Sequence, residues 1–135
     1  MTGSRYVFDS NIITAILRQE QETVERVEAA LQSNAEFLLC PVVFYEIYRG
    51  LLHRDARRYL AFFLQYVTTL TWEDLTQDDW VAAAQRWAEA RSRGYQVEDS
   101  DLLIAVYAEQ RGAIVITDNV QHFEPLGVRL ENWRR

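Results

Sequence analysis

The sequence predicts a three-layer α/β domain in which helices cover both faces of a mainly parallel sheet. Short apolar runs bounded by turn residues alternate along its 135 residues with longer segments of helical periodicity, the pattern of an α/β fold. Hydrophobic residues make up 49% and charged residues 25%, which favours a folded domain over a disordered chain. No linker-like or repeated segment divides the sequence, so we expect residues 1–135 to form a single domain.

The first half of the chain is predicted to contain two strands and four helices. Its apolar runs RYVFD and EFLLC are short and suited to buried strands. Pro41 suits the first turn of a helix, because its missing N–H needs no acceptor there. In chain order, the predicted elements are strand 5–9, helix 11–18, helix 22–32, strand 36–40, helix 41–53 and helix 55–67.

The second half is predicted to add two helices and three extended segments. Trp80, Ala84, Trp87 and Ala88 recur at helical spacing and form the apolar face expected for the longer helix. The run AIVIT is the most strand-like of the chain, and Gly94 and Gly112 are expected to end the helices. The predicted elements are extended segment 69–72, helix 77–93, helix 98–110, strand 113–117 and an edge strand within 128–133.

The charge balance excludes several kinds of chemistry. All 14 basic residues are arginines, against 20 acidic residues, for a net charge of −6. The absence of lysine excludes a lysine nucleophile, a Schiff base and a phosphate-binding P-loop. The acidic balance argues against a protein that covers nucleic acid or membrane by bulk charge, but it is compatible with a nuclease whose acids hold metal.

Cysteine content and hydropathy indicate the compartment. The single cysteine, Cys40, has no partner for an intrachain disulfide and is expected in the core. No apolar run approaches the roughly 20 residues of a membrane span, and the N-terminal residues lack the apolar region of a signal peptide. We therefore expect a cytoplasmic protein with no membrane partner.

Four acidic residues far apart in the sequence are predicted to converge. Asp9 ends the first strand and Asp118 follows the strand that begins near residue 113, so both lie at the carboxyl edge of a parallel sheet. Glu46 lies in the helix after the second strand, and Asp101 lies in the first turn of the helix that opens on the same edge. Ligands of open α/β sheets bind at that edge.

Each acid taken alone also has an ordinary structural interpretation. Asp9 is a suitable helix cap, as is either Asp99 or Asp101 for the later helix. Glu46 alone is typical of a solvated helix position, and Asp118 followed by asparagine is a common turn signal. Only the four acids together, at one predicted edge, favour a functional site.

A convergence of carboxylates requires a cation or shared protons. Two carboxylates about 4 Å apart repel by about 4 kcal/mol at an effective dielectric near 20. Oxygen ligands without a histidine or cysteine set suit Mg²⁺, with Mn²⁺ as an alternative. Such an ion activates water and neutralises charge on a phosphate, and no nucleophilic triad or reactive cysteine motif competes. The predicted reaction is metal-assisted hydrolysis of a phosphodiester.

The motifs around these acids resemble those of the PIN-domain ribonucleases, and within that family the VapC-type toxins of prokaryotic toxin–antitoxin pairs. The resemblance covers essentially the whole chain, and the order and spacing of the motifs carry it, since no single motif is specific. The motifs are VFDSNI with Asp9 and Ser10, FYEIYRG with Glu46, DSDLLIAVYA with Asp99 and Asp101, ITDNVQHF with Thr117 and Asp118, and the closing segment LGVRLENW.

The resemblance implies a Mg²⁺-dependent endoribonuclease that forms a homodimer and is inhibited by a small antitoxin protein. It implies that Asp9 and Asp101 hold the metal most directly, while Glu46 and Asp118 complete the pocket or act through water. Asp99 is the alternative to Asp101 as third acid, although the apolar run that follows favours Asp101. The candidates for supporting roles are Ser10, Asp99 and Thr117.

A basic segment offers a way for RNA to approach an acidic protein. Residues 49–58 carry four arginines and one aspartate. Arg49, Arg54 and Arg57 are candidates for a rim that binds RNA phosphates beside the metal site. An ordinary solvated helix face, with Asp55 as an ion-pair partner, is the alternative interpretation.

The apolar helix residues allow a similar choice. Trp80 and Trp87 are expected to pack in the core or at a dimer interface rather than to stack on bases. Core packing is also favoured, over an antitoxin groove or a dimer interface, for a set in the helices after the second strand. This set is Phe44, Ile47, Tyr48, Leu51, Phe62, Phe63 and Tyr66.

Two other classes of function are compatible with an aspartate at a strand end. A PIN-like binding or regulatory module without useful catalysis is the alternative function, and the complete acid set argues against it. A phosphoacceptor domain is the other, but such domains use a lysine to neutralise the phosphoryl group. The chain has no lysine, which excludes that class.

Overall fold

Five strands form one sheet in which every neighbouring pair is parallel, in a computed structural model that describes residues 3–134. The strands are β1 (Arg5–Phe8), β2 (Glu36–Leu39), β3 (Thr71–Trp72), β4 (Ile114–Ile116) and β5 (Leu130–Glu131). Their order is β3-β2-β1-β4-β5, which puts β1 at the centre and β5 at an edge. The predicted three-layer α/β/α fold with a parallel sheet is confirmed.

Helices fill the connections between the strands. They are α1 (Ser10–Leu17), α2 (Gln21–Gln32), α3 (Pro41–His53), α4 (Arg57–Tyr66), α5 (Gln77–Ser92), α6 (Asp99–Gln110) and the short α7 (Val120–Phe123). The bounds predicted from the sequence agree within two residues, except that α7 has only four residues and too little periodicity to be predicted. Within residues 3–134, none of these helices is long and apolar enough to cross a membrane.

Left-handed residues end several of the helices. Gly94 and Gly112, predicted to end α5 and α6, have φ values of 83° and 64°, which glycine adopts without steric cost. Asp55 also has a positive φ, of 51°. It separates α3 from α4, which is why the predicted helix at 55–67 begins two residues later in the structure.

The core lies on both faces of β1. Val7 and Phe8 are almost fully buried, and Cys40 is 1% exposed, which confirms its predicted place in the core. Trp133, from the C-terminal segment, packs edge-on against Phe8 and Phe37. The apolar set predicted to pack in the core from α3 and α4 is buried or half-buried, namely Phe44, Ile47, Tyr48, Leu51, Phe62, Phe63 and Tyr66.

Helix α5 presents a different face to the core from the one predicted. Its buried residues are Asp79, Ala83 and Ala90. Trp80 and Trp87 are instead 53% and 41% exposed, so of their two predicted locations the core is wrong and the dimer interface stays a prediction. Arg111 draws Asp79 inward through an ion pair of 2.8 Å, and the small alanines allow α5 to lie close to α6. The ion pair therefore lies on the buried face of α5, and the two tryptophans lie on its exposed face.

Candidate active site

Asp9 lies at the carboxyl end of β1 and caps α1, which confirms the capping interpretation, while its role in a functional site stays a prediction. Asp9 is 3% exposed, and its carboxylate accepts hydrogen bonds from the backbone N–H of Ser10 (2.8 Å) and from the Thr117 hydroxyl (2.8 Å). Asn11 donates a third, longer bond through Nδ2 (3.3 Å). Burial raises the pKa of Asp9, and these hydrogen bonds offset only part of that rise. Hydrogen bonds therefore fix the orientation of the Asp9 carboxylate, and its burial disfavours the ionised form.

The negative charge of Asp9 affects the carboxyl groups of two other predicted acids, Asp101 and Glu46. Burial, followed by the charge of Asp9, raises the pKa of Asp101 from 3.8 to about 6. Burial and the charges of Asp9 and Asp101 also raise the pKa of Glu46, whose carboxylate is hydrogen-bonded by the Ser100 side chain. Three of the four predicted acids, contributed by β1, α3 and α6, therefore lie near enough at the carboxyl edge of the sheet to interact electrostatically.

Asp118 follows β4 at the same edge, but its carboxylate contacts the C-terminal segment. It accepts hydrogen bonds from Asn132 Nδ2 (3.0 Å) and Arg134 Nη1 (3.3 Å). Its backbone N–H donates to Asn11 Oδ1 (3.1 Å), and Asn11 in turn donates to Asp9. Asn11 thus links Asp118 to the central acid.

The structure distinguishes the two candidates for the third acid. Asp101 is 9% exposed and interacts with Asp9. Asp99 is exposed and lines a separate apolar cavity beside Trp80 and Trp87. The geometry therefore places Asp101, and not Asp99, among the clustered acids.

Three polar residues at the site were not predicted from the sequence. Asn11 lies two positions from Asp9, and Ser100 lies one position from Asp101. This closeness in the sequence is the only indication that they belong to the site. The third is His122, whose side chain is 61% exposed and whose Nδ1 lies 3.6 Å from Asp101 Oδ2. Its placement depends on α7, so no sequence pattern indicated it.

The donor set suits a hard, hydrated cation. Within the described residues 3–134, no group of three or more aspartate, glutamate, histidine or cysteine side chains is close enough to enclose a metal ion. Mg²⁺ keeps several of its waters and is usually held by only one or two carboxylates. Asp9 and Asp101 offer that chemistry, because both are buried carboxylates whose mutual repulsion a cation relieves. The residues present fit Mg²⁺ in donor type and charge.

Two of the three predicted rim arginines share a cavity with Glu46. Arg49 and Arg54 line a cavity of about 470 Å³ that also reaches Ser10 and Glu46. Arg57 does not line it, and its Nε instead pairs with Asp55 at 3.1 Å on the exposed surface. The structure therefore groups Arg49 and Arg54 and separates Arg57 from them.

The fold and the acidic edge together define a parallel α/β domain with a polyacidic site. Residues 6–124 match the PIN domain, and the chain belongs to the PIN-domain family. It is 23% identical over 131 residues to ribonuclease VapC2 of Haemophilus influenzae, with 96% of this chain and 98% of that protein covered. Over the same length and coverage it is 24% identical to the tRNA(fMet)-specific endonuclease VapC of Salmonella typhimurium.

Solved structures of toxin–antitoxin complexes have the same fold. VapBC2 from Rickettsia felis, bound to a DNA fragment from its promoter, has a TM-score of 0.86 at 20% identity. DNA-bound VapBC from Salmonella typhimurium has a TM-score of 0.85 at 23% identity. Each comparison covers 96% of this chain and 98% of the other. The resemblance to VapC-type PIN-domain proteins predicted from the motifs is confirmed.

Proposed function

We propose that this protein is a metal-dependent endoribonuclease that acts as the toxin of a toxin–antitoxin pair. The observation that carries the proposal is the group formed by Asp9, Glu46 and Asp101, which are three carboxylates held at the carboxyl edge of a PIN-domain sheet although they repel one another. The names of its relatives, a ribonuclease and a tRNA-specific endonuclease, support the same activity.

Asp9 and Asp101 are the residues that would hold Mg²⁺, with Mn²⁺ as an alternative. When bound, the ion supplies a Lewis acid that neutralises charge on the phosphodiester and makes water a better nucleophile. Thr117 and the Ser10 N–H hold the Asp9 carboxylate in one orientation. Both bonds are 2.8 Å long, so they hold the carboxylate in place before a cation binds.

Glu46 and Asp118 would not hold the metal directly in this proposal. The Ser100 side chain orients the Glu46 carboxylate, whose raised pKa makes it a stronger base than an ordinary glutamate. Glu46 is therefore suited to take a proton from water near the phosphate. Asp118 acts at a distance, because its backbone N–H fixes Asn11, which contacts Asp9.

The partners that we propose are RNA, a small antitoxin protein and a second copy of this chain. The structural relatives named above are toxin–antitoxin complexes, which supports the antitoxin. Exposed apolar side chains on α5, including Trp80 and Trp87, support an interface that excludes water. The expected location is the cytoplasm, where RNA and the antitoxin would both be met.

Cleavage of an end-labelled structured RNA, followed on a denaturing gel, tests the activity. We expect cleavage with Mg²⁺, none with EDTA, and a rate at least roughly 100-fold lower for Asp9→Asn and for Asp101→Asn. Both variants keep a hydrogen-bonding side chain of the same size, and Asn at position 9 still caps α1. Asp99→Asn is the matched control, since Asp99 lies outside the acid cluster.

Two outcomes would contradict the proposal. Wild-type rates in both variants would show that the acids are not the site. Binding of RNA without cleavage at any Mg²⁺ or Mn²⁺ concentration would favour the alternative function, a PIN-like binding or regulatory module.

A further inference from the structure

The guanidinium group of Arg134 bridges two acidic residues at the edge of the candidate active site. It donates to both carboxylate oxygens of Glu20 through Nε and Nη2, at 3.0 Å each. Its Nη1 donates to Asp118 Oδ2 at 3.3 Å. Asn132 Nδ2 donates to the other oxygen, Asp118 Oδ1, at 3.0 Å. Both oxygens of the fourth predicted acid therefore accept hydrogen bonds from the C-terminal segment.

The fold holds Arg134 in this position. The preceding residue, Trp133, is 3% exposed, and its carbonyl accepts a buried hydrogen bond of 3.0 Å from the Thr23 hydroxyl of α2. The backbone N–H of Arg134 donates to Asn132 Oδ1 at 3.0 Å. The side chains of Arg134 and Asp118 are 30% and 19% exposed, so water and salt screen this ion pair less than a pair on the open surface.

Asp118 is also connected to the acid that would hold the metal. Its backbone N–H donates to Asn11 Oδ1 (3.1 Å), and Asn11 Nδ2 donates to Asp9 Oδ2 (3.3 Å). The residue before it, Thr117, donates to the same Asp9 oxygen at 2.8 Å. Where a site of this chemistry holds two metal ions, they lie roughly 3.5–4 Å apart, and the second ion needs carboxylate oxygens of its own. Asp118 is a carboxylate that such an ion would need.

We propose that Arg134 takes the place of a second metal ion by neutralising Asp118, so that the acid cluster binds a single divalent cation. The guanidinium group occupies one Asp118 oxygen, and its positive charge repels a cation near either oxygen. An arginine side chain stays charged in proteins, so this counter-charge is permanent. Arg134 is thus a positioning residue that acts through Asp118. The inference rests on the proposed metal-dependent function and gives the number of ions that the site holds.

The first test counts the bound ions. Mn²⁺ is titrated into the protein at pH 7.5 without RNA, and free Mn²⁺ is followed by electron paramagnetic resonance. We expect one bound ion for the wild type and two for Arg134→Gln, because Asp118 then becomes available to a cation. Asp118→Asn/Arg134→Gln should return to one ion. Arg129→Gln is the matched control, since it removes the same charge from an exposed position of the same segment and should keep one ion.

The second test separates this role from a purely structural one. In EDTA, Arg134→Gln should melt below the wild type, because Glu20 and Asp118 lose their shared counter-charge. Saturating Mn²⁺ should raise the melting temperature of this variant more than that of the wild type, because an additional ion binds the folded state. Equal increases in the two proteins would indicate a structural role and contradict the inference. Arg134→Lys, which keeps the positive charge, should still bind one ion.

The outcomes distinguish this inference from the proposed function. If Arg134→Gln binds one Mn²⁺ with the affinity of the wild type, or if the wild type already binds two, Arg134 does not replace an ion and the inference is overturned. A second ion that persists in Asp118→Asn/Arg134→Gln also overturns it. Because the ions are counted without RNA, a wild type that binds one Mn²⁺ as expected but cleaves no RNA contradicts the endoribonuclease proposal alone.

Discussion

At the scale of single residues, the ionised acid cluster lowers the free energy of unfolding. Asp101 is nearly buried, and burial together with the charge of Asp9 raises its pKa from 3.8 to about 6. Above that pH Asp101 is ionised in the folded protein, where burial and the charge of Asp9 disfavour the charge. In the unfolded chain the same carboxylate is solvated and meets no such penalty. The free energy of unfolding is therefore higher when Asp101 is protonated, and it falls as pH rises from about 4 to about 6.

Asp101→Asn should consequently stabilise the metal-free protein. The full penalty for a shift of this size is roughly 2–3 kcal/mol, and it applies at neutral pH where Asp101 is ionised in both states. Urea unfolding in EDTA should give a gain approaching this value at pH 7.5 and less than half of it at pH 4.5. The exposed neighbour provides the control, since Asp99→Asn should change stability little at either pH. A variant less stable than the wild type at pH 7.5 would contradict the assignment.

At the scale of elements, a buried ion pair joins α5 to the end of α6. Arg111 donates to both carboxylate oxygens of Asp79, at 2.9 and 2.8 Å, and also contacts Glu73. Its guanidinium lies over the Tyr107 ring, 3.8 Å from the centroid. Burial alone would raise the pKa of Asp79, but the hydrogen bonds from Arg111 and Thr76 outweigh it and lower that pKa. The pair therefore stabilises the fold above the ordinary pKa of aspartate and is lost at lower pH.

Removing one partner should be costly. Asp79→Ala leaves Arg111 buried without its bidentate acceptor and also removes the capping box of α5, so we expect a loss of about 3–5 kcal/mol at pH 7. Asp78→Ala, in the same helical turn but exposed, should cost less than about 1 kcal/mol. Equal losses in the two variants, measured by urea unfolding, would show that the ion pair does not organise the α5–α6 contact.

The ion pair between Arg111 and Asp79 explains why the position of α5 could be predicted but its buried face could not. Helical spacing places the helix correctly, because periodicity depends only on local sequence. Periodicity assigns the core face to Trp80 and Trp87, whereas the structure buries Asp79. The deciding partner, Arg111, is 32 residues away from Asp79, and no local pattern contains it.

At the scale of the whole molecule, the parallel sheet made much of the site predictable. Asp9 and Thr117 are 108 residues apart, yet both end parallel strands, so the fold rule alone brings them to one edge. The surroundings of Asp118 were not predictable in this way. They depend on Asn132 and Arg134, whose irregular segment follows the last strand and has no periodic signal.

The exposed tryptophans lead to a prediction about assembly. Light scattering should give a solution mass twice the 15.8 kDa of the chain, because Trp80, Val81 and Trp87 leave an apolar surface on α5 that a second copy would cover. Trp80→Arg/Trp87→Arg should halve that mass without loss of helical circular dichroism. Leu52→Arg, an exposed apolar position on α3, is the control. A wild type of single-chain mass would contradict the homodimer.

The central position of β1 has a consequence for synthesis on the ribosome. β1 pairs with β2, which follows it closely in the chain, and with β4, which is made about a hundred residues later. Until β4 emerges from the ribosome, one edge of β1 in the nascent chain is unpaired. Asp9 also lacks the hydrogen bond from the Thr117 hydroxyl, because Thr117 follows β4. A chain cut short before residue 114 therefore cannot assemble this edge, so premature termination or proteolytic trimming yields a fragment without the Asp9–Thr117 contact.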